Sequence, residues 1–173
     1  MQVRLNIYKQ DINSNAFREV SRIGHELFEY LKSPLITKAF SDANAPGNSS
    51  SKVQDVFLQK AIELGFQSER KRLFSDIPTH NLRPDYYRPV GNSGIIVEVE
   101  RGKTIMNNMD MLDMWKCHLC KSANHLFLFV PNQLKHNSQA TAYDCFRRVS
   151  DRLLPFFETS NFTNVHSLWI FGY

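Results

Sequence analysis

A chain of 173 residues has room for one ordinary domain, and its 42% hydrophobic content can close a core without disulfide bonds, which excludes a disordered chain. The formal net charge of +4 would assist approach to a polyanion, but it is too modest to identify the partner. No apolar run approaches the ~18–20 residues that cross a bilayer, and residues 1–6 lack the apolar stretch of a signal peptide. We therefore expect a cytoplasmic protein that does not enter a membrane.

The pattern of apolar residues predicts helices where they recur three and four apart, and strands where they alternate or run together. In chain order, the predicted elements are a strand at 2–8, helices at 13–32 and 52–64, strands at 66–74, 82–87 and 94–100, a helix at 104–120, a strand at 125–131, a helix at 139–153 and a strand at 165–171. The segment 41–50 is rich in turn formers, so we expect an exposed, mobile loop there. This mixed order predicts an α/β fold with a central mixed β-sheet flanked by helices.

Residues at helix ends refine these boundaries. Ser50 or Ser51 is the expected N-cap of the second helix, and Gly65 is placed to end it. Thr104 is the expected cap of the third helix. The apolar stripe of that third helix comprises Ile105, Met109, Leu112, Trp115 and Leu119.

Three cysteines, without a secretory signal, predict reduced thiols rather than a disulfide framework. Cys117 and Cys120 form a Cys-x-x-Cys pair with His118 and His125 nearby, which raises the alternative of a zinc- or thiol-dependent interaction domain. A structural zinc site needs four convergent ligands, and only one pair here has clear spacing. The better interpretation is that these cysteines are small core residues.

Three carboxylates are predicted to meet at one end of two neighbouring strands. Glu98 and Glu100 are two apart on a strand and share a face, and a hairpin returns Asp85 to the same end. Acids so crowded repel one another unless a cation or a proton compensates. Oxygen ligands favour Mg²⁺ or Mn²⁺, and these ions suit phosphodiester hydrolysis. The alternative is a solvated, charged sheet edge.

The pair Pro84-Asp85, followed by Glu98-Val99-Glu100 at the end of an apolar strand, resembles the PD-(D/E)xK nuclease superfamily. Within it, the motif is similar to that of type II restriction endonucleases of the BamHI and BglII kind. The resemblance implies a restriction-endonuclease-like core of order αβββαβ. It also implies that Asp85 and Glu98 bind the metal ion, with Val99 lending its backbone carbonyl.

Other roles also follow from this resemblance. Glu100 stands where the family normally has a lysine that activates water, so Glu100 would act as the general base or as a second metal ligand. Lys103, just beyond the strand, would stabilise the phosphate or activate the water. The family also suggests that an acid on the preceding helix joins the site, and Glu63 is the nearest candidate.

Together these patterns predict a Mg²⁺-dependent DNA endonuclease that acts on double-stranded DNA as a homodimer, with dimerisation inferred by analogy alone. We expect a single nuclease-like domain over residues 1–173. It would comprise an N-terminal helical extension and loop (1–51), a catalytic core (52–131) and a C-terminal helix and strand (132–173). The alternative function is a non-catalytic nucleic-acid-binding protein with a degenerate nuclease fold, whose basic residues contact phosphates.

Overall fold

The computed structural model describes residues 2–10, 15–45, 47–68, 73–77, 82–102, 104–135 and 141–173. Its elements, in chain order, are β1 (Arg4–Lys9), α1 (Asn15–Lys32), α2 (Pro34–Ala43), α3 (Ser50–Glu63), β2 (Gln67–Ser68), β3 (Tyr86–Val90), β4 (Ser93–Val99), α4 (Met109–Leu119), β5 (His125–Val130), β6 (Gln133–Leu134), β7 (Tyr143–Asp144), α5 (Cys145–Leu153), a 3₁₀ turn (Leu154–Phe157) and β8 (Ser167–Gly172).

Six strands form one mixed sheet in the order β1-β8-β5-β4-β3-β2. The central strands β4, β5 and β8 run parallel, whereas β1, β3 and β2 are antiparallel to their neighbours. The first and last strands of the chain lie side by side in this sheet. The sheet confirms the predicted mixed α/β architecture, and the segment from α3 to β5 has the predicted order αβββαβ.

Helices cover both faces of the sheet. Ile95, Val97 and Val99 of β4 pack with the apolar residues of α1, α2 and α3 on one face. Ile96 packs with residues of α4 and α5 on the other face. Every residue of β5 and β8 is buried, as expected for parallel strands covered on both sides. Both faces of β4 are therefore closed by helices, including the face that carries Glu98.

Several turns follow the local sequence signals. Gly65 has φ of +76° and ends α3, as predicted. Gly91, at φ of +57°, lies in the two-residue turn between β3 and β4. That turn is shorter than the connector expected at 88–93, so β3 extends to Val90. Helix α3 begins at Ser50, and its N-cap is Ser49 rather than Ser50 or Ser51.

The predicted loop at 41–50 is shorter than expected, because α2 was missed and continues to Ala43 while α3 begins at Ser50. Pro34 occupies the first turn of α2, where a missing N–H costs nothing. The guanidinium of Arg101 donates hydrogen bonds to the carbonyls of Asn44, Ala45 and Asn48. This segment is thus bound to the chain that leaves β4.

Two further boundaries differ from the sequence prediction. Strand β2 comprises only Gln67 and Ser68; residues 73–76 form turns, and residues 69–72 of the predicted strand lie outside the described residues. The helix predicted at 139–153 begins at Cys145, because the Asp144 side chain accepts a hydrogen bond from the Arg147 backbone N–H as an N-cap. Residues 143–144 instead pair with β6.

Helix α4, which corresponds to the helix predicted at 104–120, buries a different face from the predicted one. It begins at Met109 after Asn108, which adopts a left-handed φ of 52°, and not at Thr104. Leu112 and Trp115 of the predicted apolar stripe are 37% and 42% exposed. The buried side instead carries Asp110, Asp113, Met114, Lys116 and Cys117.

The three cysteines are buried free thiols, and Cys117 and Cys120 pack in the apolar cluster beneath α4 and α5. Within the described ranges, no helix is both long enough and apolar enough to span a bilayer.

Gly24 of α1 allows the helix to approach the sheet closely. A Cβ at this position would lie 2.5 Å from Cε3 of the buried Trp169. We expect Gly24→Ala to destabilise the protein by about 1–3 kcal/mol through overpacking, although alanine gains about 1 kcal/mol in helix propensity. Urea unfolding would measure the change, with exposed Gln59→Ala as the control. A Gly24→Ala protein that is more stable than wild type would contradict this packing.

Candidate active site

A cleft of about 590 Å³ opens where β3 begins and β4 ends. Its walls come from α3, the two strands, the chain that leaves β4, and α4. The lining residues are Gln54, Arg83, Pro84, Asp85, Glu98, Val99, Glu100, Arg101, Gly102, Asn107, Met109 and Lys116.

Asp85 and Glu98 are held together by reciprocal hydrogen bonds between the two strand ends. Oδ2 of Asp85 accepts a hydrogen bond of 2.8 Å from the backbone N–H of Val99. Oε2 of Glu98 accepts one of 3.3 Å from the backbone N–H of Asp85. The hairpin register, with Tyr86 opposite Val97, therefore continues into the two acids. Each carboxylate fixes the backbone that carries the other.

An ammonium group from α4 contacts one of these acids. Nζ of Lys116 lies 2.5 Å from Oε1 of Glu98 and 2.8 Å from Oδ1 of Asp113. Glu98, Asp113 and Lys116 are all buried, with exposed fractions of 3%, 0% and 7%. Asp113 and Lys116 are one helical turn apart, so α4 delivers both to the same place.

Glu100 completes the cluster at the end of β4. Its backbone N–H donates to the carbonyl of Phe129, and its own carbonyl accepts a 2.5 Å hydrogen bond from the hydroxyl of Tyr173. Burial, followed by the negative charges of Asp113 and Asp85, raises the pKa of Glu100 to about 8. The carboxyl therefore gains or loses its proton near neutral pH.

Burial and neighbouring charges also shift the pKa values of Glu98, Asp113 and Lys116. Burial and the charge of Asp113 raise the pKa of Glu98 well above its usual value, although Lys116 opposes this. Burial raises the pKa of Asp113 to about 6, again against the effect of Lys116. Burial alone would lower the pKa of Lys116, but Glu98 and Asp113 outweigh it and raise that pKa. The ammonium is therefore fixed in its charged form.

Within the described ranges, this cluster contains four carboxyl groups and one ammonium, and carboxyl oxygens are donor atoms that suit a hard divalent ion. The carboxylate of the completely buried Asp113 adjoins both the ammonium of Lys116 and the carboxyl group of Glu100. No three Asp, Glu, His or Cys side chains in the described ranges are already grouped around a metal position. Mg²⁺ commonly uses one or two carboxylates and several waters, so the residues present fit such an ion.

The structure brings together Asp85, Glu98, Val99 and Glu100 of the predicted site. Lys103 lies outside the described residues. Glu63 does not line the cleft: its side chain is 52% exposed and lies 3.6 Å from Nζ of Lys60. The structure therefore does not place Glu63 beside the other carboxyl groups, contrary to the prediction. The residue of α3 that faces the cleft is Gln54, near the other end of the helix.

Asp113 was missed by the sequence analysis, as was the place of Lys116 in the cleft. Their one sequence signal is the Asp-x-x-Lys spacing, which puts opposite charges on one helix face. That spacing is common on exposed helices and does not by itself indicate a site. The interpretation of Glu98 and Glu100 as a solvated sheet edge is also wrong, because β4 is a central strand and Glu98 is buried.

Several other basic residues of the domain are engaged away from the cleft. Lys60 pairs with Glu26 at 2.9 Å, and Arg88 pairs with Glu19 at 2.9 Å. Arg152 pairs with the buried Asp110 at 2.7 Å. The basic side chains that line the cleft within the described ranges are Arg83, Arg101 and Lys116.

Comparisons with known proteins give a distant structural likeness. No family model matches the chain, and no curated protein matches it by sequence. Among solved structures, the chain is similar to the restriction endonuclease BglII in complex with a DNA 16-mer. The sequence identity is 10% and the TM-score 0.44, over 99% of this chain and 76% of that one. It is also similar to free BglII, with 11% identity and a TM-score of 0.38, over 99% and 79% of the two chains. Likeness at this level does not assign a function.

The raised pKa of Glu100 predicts a dependence of stability on pH. The unfolded carboxyl has a pKa near 4.5 and the folded one near 8, so the folded state binds more protons between these values. Its stabilising effect is complete below pH 4.5 and is lost as pH rises through 8. A tenfold change in proton affinity corresponds to about 1.4 kcal/mol of unfolding free energy. Glu100→Gln should therefore flatten the fall in unfolding free energy between pH 5 and 8.5, measured by urea unfolding in EDTA.

Glu63→Gln provides the control for this measurement, because it removes an exposed carboxyl outside the cleft. That control should follow the wild-type pH profile. If Glu100→Gln also followed the wild-type profile, the raised pKa of Glu100, which burial and the charges of Asp113 and Asp85 produce, would be wrong.

Proposed function

We propose that this protein is a Mg²⁺-dependent DNA endonuclease that hydrolyses phosphodiester bonds, of the type II restriction kind. The observation that supports this most directly is the shared cleft of Asp85, Glu98 and Glu100, drawn from two adjacent strands. Such a concentration of buried carboxyl groups is unfavourable in a purely structural role, because it leaves negative charge without a matching number of cations. A divalent ion would supply the missing charge.

In this proposal, Asp85, Glu98 and the backbone carbonyl of Val99 hold Mg²⁺ or Mn²⁺. The ion would act as a Lewis acid, polarising the phosphate and acidifying water. Glu100, which lines the cleft beside the proposed ligands, would accept the proton of the attacking water. An oxygen–phosphorus bond forms to that water oxygen, the phosphorus–O3′ bond breaks, and the leaving O3′ takes a proton from solvent. Lys103 would stabilise charge on the phosphate.

The proposed substrate is double-stranded DNA. Arg83 lines the cleft, and a guanidinium group beside an acidic centre is suited to contact a phosphate next to the scissile bond. Cutting both strands at a symmetric site needs two cleavage centres related by a two-fold axis, so we propose a homodimer. Light scattering of the purified protein at several concentrations would test the dimer independently of cleavage.

A second candidate function is a non-catalytic nucleic-acid-binding protein. It is favoured by Lys116, whose ammonium already neutralises Glu98 at 2.5 Å. A pure binder would shift the mobility of DNA in a gel and leave it intact in both Mg²⁺ and Mn²⁺. The endonuclease would convert supercoiled plasmid into nicked or linear forms, and sequencing of the ends would reveal the cleavage position.

Asp85→Asn and Glu98→Gln test the metal site with little change in side-chain shape. Asparagine can still accept the Val99 N–H bond at position 85, so the fold should be retained. Because each variant removes a charged ligand, we expect plasmid cleavage in Mg²⁺ to fall by about 100-fold or more. Calorimetric binding of Mn²⁺ should weaken in parallel. Glu63→Gln, outside the cleft, should cleave like wild type. Full activity in both cleft variants would refute the assignment.

A further inference from the structure

We propose that Lys116 is a catalytic residue of this cleft. Its ammonium binds a non-bridging oxygen of the scissile phosphate, and Asp113 is the positioning residue that keeps it there. This inference rests on the proposed endonuclease function and adds to it two residues from α4.

The first support is the arrangement of donors around Nζ. A lysine ammonium has three N–H donors. The ion pairs with Glu98 at 2.5 Å and with Asp113 at 2.8 Å place two carboxylates beside this ammonium. Lys116 also lines the cleft, so an N–H donor that points away from these carboxylates can reach a ligand oxygen there. An anionic oxygen is the ligand that such a donor favours most.

The second support is the distribution of positive charge in the cleft. Among the described lining residues, Lys116 carries the only ammonium. The guanidinium of Arg101 already donates to three backbone carbonyls of the segment between α2 and α3. A phosphate that approaches the acids therefore meets Lys116 as the cation in direct contact with Glu98. Positive charge placed in advance at this position stabilises the charge that builds up during phosphoryl transfer.

The third support is the role of Asp113 when a divalent ion binds. An ion held by Glu98 would compete with the ammonium for the same carboxylate. The Asp113 contact is made within one turn of α4, so it does not depend on the position of Glu98. Asp113 is completely buried, which restricts its side chain to this place. Lys116 therefore keeps one anionic partner and stays at the wall of the cleft.

A purely structural ion pair would have different consequences. If Lys116 served only to neutralise Glu98 and Asp113, its loss would reduce the stability of the protein. The folded protein that remained would cleave at the wild-type rate. A catalytic ammonium instead contributes to the rate of the chemical step, and removing its charge leaves metal binding intact or strengthened. Single-turnover kinetics and calorimetry separate these two accounts.

The experiment compares wild type with Lys116→Met, Lys116→Arg and Asp113→Asn, at saturating Mg²⁺ on a plasmid substrate. We expect Lys116→Met to lower the single-turnover cleavage rate on the order of 100-fold. DNA affinity should stay within about threefold, since one phosphate contact among many is lost. Mn²⁺ should bind at least as tightly as in wild type. Lys116→Arg should retain part of the rate, and Asp113→Asn should fall between wild type and Lys116→Met.

Lys121→Met is the matched control, because Lys121 lies just beyond α4 and pairs with Asp76 on the surface with 79% of its side chain exposed. It should cleave like wild type. If Lys116→Met does not fold, two other variants replace it in the same rate measurement. One is Lys116→Arg, and the other is the double variant Lys116→Met/Asp113→Asn, which keeps the net charge of the cluster.

Wild-type cleavage rates in folded Lys116→Met or in the double variant would overturn this inference and leave the endonuclease proposal standing. Absence of both Mn²⁺ binding and cleavage in wild type would overturn the endonuclease proposal itself, and the catalytic role of Lys116 with it.

Discussion

The contact of Lys116 with Glu98 and Asp113 determines how the second layer of the fold is built. Glu98 lies on a central strand whose two faces are covered by helices, so its side chain is almost completely withdrawn from bulk water. Such a charge is tolerated only with a close partner of opposite sign. Helix α4 supplies that partner, and in doing so it must turn its charged side toward the sheet. Its rotation, and therefore the shape of the cleft, follows from this electrostatic requirement.

The same requirement explains why the sequence predicted the wrong face of α4. Apolar spacing placed Leu112 and Trp115 in the core, yet both are substantially exposed, and Asp113 and Lys116 take the buried side. Periodicity assumes that the lowest free energy comes from burying the most apolar stripe. Here the acids at the end of β4, which lie outside the helix, reverse that preference. A rule that uses only residues within one helix cannot include this term.

Other parts of the structure were predictable because their causes are local. The apolar run of β5 and the glycine at the end of α3 specify their conformations within a few residues. Strand alternation also gave the shared face of Glu98 and Glu100, and a hairpin was enough to bring Asp85 beside them. Glu63 failed because its position depends on how α3 is rotated against the sheet, and that rotation directs Gln54 to the cleft instead. Packing between layers, rather than propensity, decides such positions.

The carboxyl groups of the cluster have both a stabilising and a destabilising effect on the fold. Asp85 and Glu98 bind each other's backbone N–H groups, so they hold the two strand ends in register. They also belong to a group of four carboxyl groups beside a single ammonium, in which burial raises the pKa of Glu98, Glu100 and Asp113. Functional sites often keep such unfavourable interactions where the rest of the fold is stable enough to offset their cost. Here the stability comes from strands β4, β5 and β8, which are packed on both faces and hold the strand ends together. The four carboxyl groups therefore remain concentrated at one point of the cleft.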